Sequence, residues 1–195
     1  MKMNYTECSI SLLLALALSS CIGNKTNTQV SEEEPTPEQK ELLEEGWSSN
    51  APDGGELSAE YGVKAIYGIQ DNYFDIKIGD GYSVAIKIMD ASSNKCIRYV
   101  YVPEGETVTI SQIPQGRYYL KLAYGKDWME YACDNSIKGK FTRSAFYEKS
   151  SSSYDFGKKN SQSFVNYNLE LNIVNGDLEH NFETITISEA EFDKN

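Results

Sequence analysis

Few residues in this 195-residue chain carry side chains suited to chemistry: four cysteines, one histidine, three carboxylates around a tryptophan, and a strand alternating basic or aromatic with apolar side chains. Cys96 and Cys133 are a candidate disulfide in an oxidising compartment. A closed loop of about 37 residues would contribute roughly 3–4 kcal/mol; the alternative is two separate, partly buried thiols. Neither lies in a C-x-x-C pair, which argues against a redox or zinc role. A single histidine excludes any site needing two imidazoles from one chain, and His180, between Glu179 and Asn181 in a polar stretch, is expected to be exposed. Asp127, Glu130 and Asp134 surround Trp128 and Tyr131. Such a group suits a calcium loop or a carboxylate pair beside a sugar-stacking ring. Calcium, however, wants six or more oxygens at regular loop spacing, and no D-x-[DN]-x-[DN]-G pattern occurs. For glycoside hydrolysis the deciding quantity is the three-dimensional separation of two acids. The plainer reading is a solvated connection with Trp128 tucked over the edge of the fold. Arg117, Tyr119 and Lys121 alternate out of phase with Tyr118, Leu120 and Leu122, so they belong on the solvent side of their strand. With Trp128 they form a tentative binding surface, although tyrosine's preference for strands explains its presence equally well. Nucleophile-elbow, zinc-protease, P-loop and dinucleotide fingerprints are absent, and no cofactor is implied.

Composition narrows the partners. The formal charge is −11, from 18 Lys+Arg against 29 Asp+Glu, which argues against a phosphate-binding nucleic-acid partner. The acidity is uneven: residues 22–60 hold ten acids and two bases, whereas 61–195 hold eighteen and fifteen. A basic ligand therefore cannot be inferred from the bulk charge. Hydrophobic residues make up 40% and Tyr alone numbers 14, a globular composition.

The amino terminus reads as an address. Ile10 to Leu18 is an apolar run of nine residues, too short to span a bilayer, which needs about 20, but of signal-peptide length. Lys2 supplies a weak positive flank, offset by Glu7. The run ends at Leu18-Ser19-Ser20-Cys21, which resembles the lipobox of bacterial lipoproteins. That resemblance implies cleavage after residue 20 and a diacylglycerol thioether on Cys21, whose acyl chains, at ~0.8 kcal/mol per buried methylene, anchor the protein to a membrane. Cys8 falls in the removed segment. Ile22 stands where an Asp would favour inner-membrane retention, so the resemblance implies the outer membrane. Ser31-Glu32-Glu33-Glu34 is similar to acidic surface-export tags, or is simply a solvated linker.

Residues 21–60 form an acidic tether with one short helix over 36–46. Residues 22–34 have little to bury and extend by self-repulsion. Thr36-Pro37-Glu38-Gln39 is a helix start with a capping box, and Gly46 a stop. Leu42, Leu43 and Trp47 give it a sparse apolar stripe, and Asn50 to Gly55 breaks the chain again.

From residue 61 to 195 the pattern is all-β. Alternating runs at 74–78, 84–89, 96–102, 107–110, 118–124, 165–173 and 185–187 are separated by Gly, Asn and Pro turns. This predicts a single antiparallel sandwich of about seven or eight strands. Residues 126–163 are expected to be the least regular part. The stretch Val108, Ile110, Ile113, Pro114, Gly116, Tyr118, Leu120 resembles the V-x-I … I-P-x-G-x-Y-x-L signature of prealbumin-like sandwiches, which include carboxypeptidase regulatory-like domains and adhesin B-type repeats. The likeness spans roughly residues 72–125 and implies a stalk, spacer or binding module without catalysis. The Glu that promotes an isopeptide crosslink in some adhesin repeats is replaced here by Leu122, so no crosslink is expected. Tyr118 to Trp128 is also similar to a stretch of small envelope lipoproteins. The expected function is a non-enzymatic, lipid-anchored module of the outer membrane or cell surface, binding an envelope protein or glycan. A carboxylate-dependent enzyme of envelope polysaccharide and an inhibitory, immunity-type subunit are the alternatives.

Overall fold

The computed structural model describes residues 34–157, 164–174 and 177–195. The signal segment, Cys21 and the tether as far as residue 33 lie outside them. Helix α1 (Pro37–Glu44) begins at the expected box: the Gln39 N–H donates to the Thr36 hydroxyl at 3.2 Å, and the Thr36 N–H donates to the Gln39 side-chain carbonyl at 2.7 Å. Then come β1 (Gly55–Glu56), a 3-10 turn (Ala59–Tyr61), β2 (Tyr73–Ile78), β3 (Ser83–Asp90), β4 (Cys96–Val102) and β5 (Thr107–Ser111). They are followed by β6 (Arg117–Cys133), β7 (Ser136–Ser150), β8 (Tyr154–Asp155), β9 (Tyr167–Val174), β10 (Asp177–His180), β11 (Thr184–Thr186) and helix α2 (Glu189–Asp193).

These strands form an all-β sandwich. The larger sheet runs β1-β4-β3-β6-β7-β11, with β8 also paired to β6, and the smaller runs β10-β9-β2-β5. Pairing is antiparallel throughout except that β2 and β9 run parallel. Seven described strands have five residues or more; six of them, β2 to β6 and β9, fall on runs read from the alternation, and the seventh is β7. The run at 185–187 is the short β11, which with β1, β8 and β10 extends the sheet margins. Between the sheets lies an apolar core: Phe74 and Ile76 of β2, Ile86 and Ile88 of β3, Val100 and Val102 of β4, Leu120 and Leu122 of β6, and Leu169 and Leu171 of β9. Strict alternation puts these residues on one face, and their burial drives the sheets together.

The stretch expected to be irregular is mostly ordered strand. β6 and β7 form a hairpin joined by the two-residue loop Asp134-Asn135, with Asp134 at φ 55°. Gly139, which resembles a loop residue in sequence, sits mid-strand because the Trp128 indole packs across it; a Cβ there would lie 2.1 Å from the ring.

The packed chain also begins well before residue 61. Residues 36–61 wrap around the far half of the hairpin, where residues 127, 129 and 131 point to one face and 128 and 130 to the other. On the first face Gln39 Nε2 donates to Asp127 and to Thr142, each at 2.9 Å, and Trp47 packs on Tyr131 with ring centroids 5.8 Å apart. Ser48 pairs with the free edge of β6, exchanging backbone hydrogen bonds with Glu130 at 2.8 and 2.9 Å. Asn50 and Tyr61 then reach the Glu130 side chain on the second face. Of the expected helical stripe, Leu42 is buried and Leu43 is 44% exposed.

Candidate functional site

The outer face of the larger sheet is covered as well. A second cluster there contains Leu57, Val63, Ala85, Tyr99, Tyr101, Ala123, Trp128, Phe141 and Phe192. It is built from rings, and it encloses a carboxylate whose donors come from the same covering layer. The buried Glu130 carboxylate accepts from Trp128 Nε1 at 3.0 Å, from Asn50 Nδ2 at 2.9 Å and from the Tyr61 hydroxyl. Three donors from two segments offset its desolvation.

Between this cluster and α2 opens a cleft of about 360 Å³. Tyr61, Tyr99, Gly139, Ile137 and Lys87 line it, with Glu189 and Asp193 one helical turn apart on α2; Trp47, Lys138 and Lys140 also contribute. Lys140 lies 5.7 Å above the Trp47 ring and 3.0 Å from Glu38. Burial, with the neighbouring Glu130 carboxylate, holds the Tyr61 hydroxyl protonated well above its ordinary range, and burial does the same for Tyr99. Desolvation lowers the pKa of Lys87 and raises that of Asp193. The cleft therefore offers ring faces, phenol hydroxyls, ammonium groups and two carboxylates, a combination suited to holding a polar, ring-shaped ligand.

The tentative binding surface is not assembled as the alternation alone implies. Tyr119 and Lys121 do lie on the outer face, but that face is not solvent. Lys121 is only 4% exposed because α2 covers it. Trp128, also 4% exposed, belongs to the second core rather than to a solvated connection. A register shift between Tyr124 and Lys126, with Asp127 at φ 55°, resets the alternation and turns the indole under the rings of Tyr101 and Phe141. Arg117 is exposed and donates to Ser153 Oγ at 2.9 Å; Tyr119 is half-buried, its hydroxyl 3.2 Å from Asn94.

Other candidates are also relocated. Asp127, Glu130 and Asp134 do not converge: Asp127 pairs with Arg143 at 2.6 Å, Glu130 is buried on the opposite face, and Asp134 is exposed in the hairpin loop. Cys96 and Cys133 are both partly buried and are not joined by a disulfide. Cys96 Sγ lies 3.1 Å from the Arg98 carbonyl, and burial pushes its pKa up to about 11. His180 is half-buried rather than exposed, 3.3 Å from Glu148 and 3.2 Å from Thr184 Oγ1. Among the described residues no group of three or more His, Cys, Asp or Glu is placed to hold a metal ion, and no helix is long and apolar enough to cross a membrane.

The sequence signals that were missed are concrete. Asp134-Asn135 is a two-residue hairpin loop, and Ser188 with Glu189 and Glu191 marks a capped, acidic helix start: the Ser188 hydroxyl accepts from the Glu191 N–H at 3.1 Å. No protein-family model, curated protein or solved structure matches the chain.

Proposed function

We propose that this chain is a lipid-anchored protein of the outer membrane or cell surface that binds a short stretch of envelope glycan in the outer-face cleft without cleaving it. The observation that carries this reading is the cleft itself: about 360 Å³, with Tyr61 and Tyr99 beside ammonium and carboxylate groups. Sugars present apolar ring faces edged by hydroxyls, and this lining answers both. The lipobox-like Leu18 to Cys21 supports the anchor. The β5–β6 motif supports a prealbumin-like binding module, since Ile110, Ile113, Tyr118 and Leu120 all enter the inner core.

A second reading, hydrolysis of a polysaccharide by Glu189 and Asp193, draws on their shared position in the cleft and on the raised pKa of Asp193. Binding is favoured because both acids ride on a five-residue helix, whereas two-carboxylate catalysis needs both groups held to within about 0.5 Å.

A glycan array probed with the full chain tests the proposal. Trp47→Ala and Lys138→Ala are each expected to weaken retention about tenfold, roughly 1.4 kcal/mol. Retention unchanged by both substitutions, or no glycan retained, removes the binding reading. New reducing ends that disappear in Glu189→Gln and Asp193→Asn would establish the second. For the anchor, Cys21→Ser is expected to release the protein from membranes or leave an uncleaved precursor.

A further inference from the structure

Lys87, Lys121 and Lys149 stand in register on three adjacent strands, β3, β6 and β7. Tyr99 continues the row on β4. Neighbouring strands are about 4.8 Å apart, and like charges directly opposite each other are unfavourable. Yet Lys87 and Lys121 are buried, and desolvation lowers the pKa of both.

Their partner is the end of α2. Lys87 Nζ donates to the carbonyls of Phe192 and Asp193 at 3.1 and 3.3 Å and to Asn195 Oδ1 at 2.7 Å. Lys121 Nζ donates to the carbonyls of Glu191 and Lys194 at 2.6 and 2.7 Å, and Lys149 Nζ to the Glu191 carboxylate at 3.0 Å. Phe192 sits near Tyr99 and Tyr147, with ring centroids 6.2 and 5.7 Å away, and Lys87 Nζ lies 4.8 Å from the centre of the Phe192 ring.

A cover that served packing alone would rest on apolar side chains, which bury more favourably than like-charged ammonium groups. What a lysine row adds is recognition. It reads the carbonyl-rich, negative end of a helix together with an acidic side chain, while the flanking tyrosines take an aromatic one. The current occupant is weakly built, since a five-residue helix has little stability of its own and is held by this contact and by the three residues of β11.

We infer that the Lys87–Lys121–Lys149 row, with Tyr99 and Tyr147, is a docking surface for an acidic helical peptide of a partner protein, occupied in cis by α2. Charge complementarity selects this class: the cis occupant carries Glu189, Glu191 and Asp193 around Phe192. The surface adjoins the cleft and shares Lys87 and Tyr99 with it, but the inference does not depend on glycan binding.

The test uses a labelled peptide with the sequence of residues 184–195 and the full chain. Phe192→Ala weakens the cis contact, so that chain is expected to bind the peptide at least about tenfold more tightly than the unaltered chain. Adding Lys121→Met to Phe192→Ala is expected to lose about tenfold or more of that gain. Failure of a folded Phe192→Ala chain to bind, or binding indifferent to Lys121→Met, overturns the inference. An acidic oligosaccharide that binds the same chain as tightly as the peptide would overturn the peptide reading in favour of a polyanion site. Hydrogen exchange on the unaltered chain keeps the test decisive if Phe192→Ala unfolds. Amides of residues 190–193 are expected to exchange at least about a hundredfold faster than those of β3, and faster still with added peptide. Exchange at the β3 rate would show that α2 does not open separately.

Discussion

On its inner face the larger sheet presents Val84, Ile86, Ile88, Val100, Leu120 and Leu122; on its outer face the same strands present Ala85, Lys87, Tyr99, Tyr101, Lys121 and Ala123. Both faces are buried. The inner one is sealed by another sheet, through contacts that require only shape and apolarity. The outer one is sealed by segments from the two flanks of the sandwich, through rings, a three-donor carboxylate and lysines bound to carbonyls. Apolar packing tolerates substitution that conserves volume. Directional bonding does not, and it specifies which segment lies where. The contrast identifies the outer face as the place where this fold makes particular contacts.

The sharpest way to test that contrast is to damage each face in turn and compare the losses. Leu122→Ala in the inner core is expected to cost about 2–5 kcal/mol, read from the denaturant midpoint. Glu130→Ala on the outer face orphans the Trp128, Asn50 and Tyr61 donors. It is expected to cost about 1–3 kcal/mol and to open residues 48–61 to protease while leaving the inner core intact. Equal protease resistance in the two variants would erase the distinction between the faces.

Alkaline pH probes the outer face specifically. Burial pushes the Cys96 thiol from its ordinary 9.0 up to about 11 in the fold, so the folded state holds a proton the unfolded chain gives up. Its contribution is complete below about pH 9 and is lost as the pH rises through 11. Cys96→Ala is expected to recover about 1 kcal/mol of the loss at pH 10, seen as a flatter dependence of the denaturant midpoint on pH. The smallest effect concerns the β3–β4 turn. Hydrogen bonds from Ser92 and Ser93 hold the Asp90 carboxyl at about 2, below its ordinary 3.8. That stabilisation is present above about pH 4 and lost as the pH falls toward 2. Asp90→Asn should therefore lower the midpoint by a few tenths of a kcal/mol near neutrality and leave it unchanged at pH 2, because the group is largely solvated.

The inner face was legible because one-sided burial leaves a period-two signature. The sequence reading of β4 as residues 96–102 matches the structure, and the Thr36–Gln39 box announces α1. The outer face was not legible, for reasons visible in single residues. Lys87 and Lys121 occupy positions that alternation assigns to water, and what buries them is the main chain of a distant helix, whose carbonyls have no sequence signature. Trp128 was displaced by the register shift beside Asp127. β7 lacks alternation because both its faces are partly covered, and Gly139 lies within it for the sake of a neighbouring indole. Of the cleft lining the sequence singles out only Trp47, and that as part of a helical stripe; Tyr61, Tyr99, Glu189 and Asp193 converge only through the two covering segments, a convergence that leaves no local pattern.

The belt formed by residues 36–61 has a mechanical consequence. A pull arriving from the amino-terminal side at Glu34 is taken first by the contacts of α1, Trp47 and Ser48 with the β6–β7 hairpin, ahead of β1. The belt therefore acts as strain relief. Traction peels it from the hairpin first, and β1 bears load only after those contacts have parted.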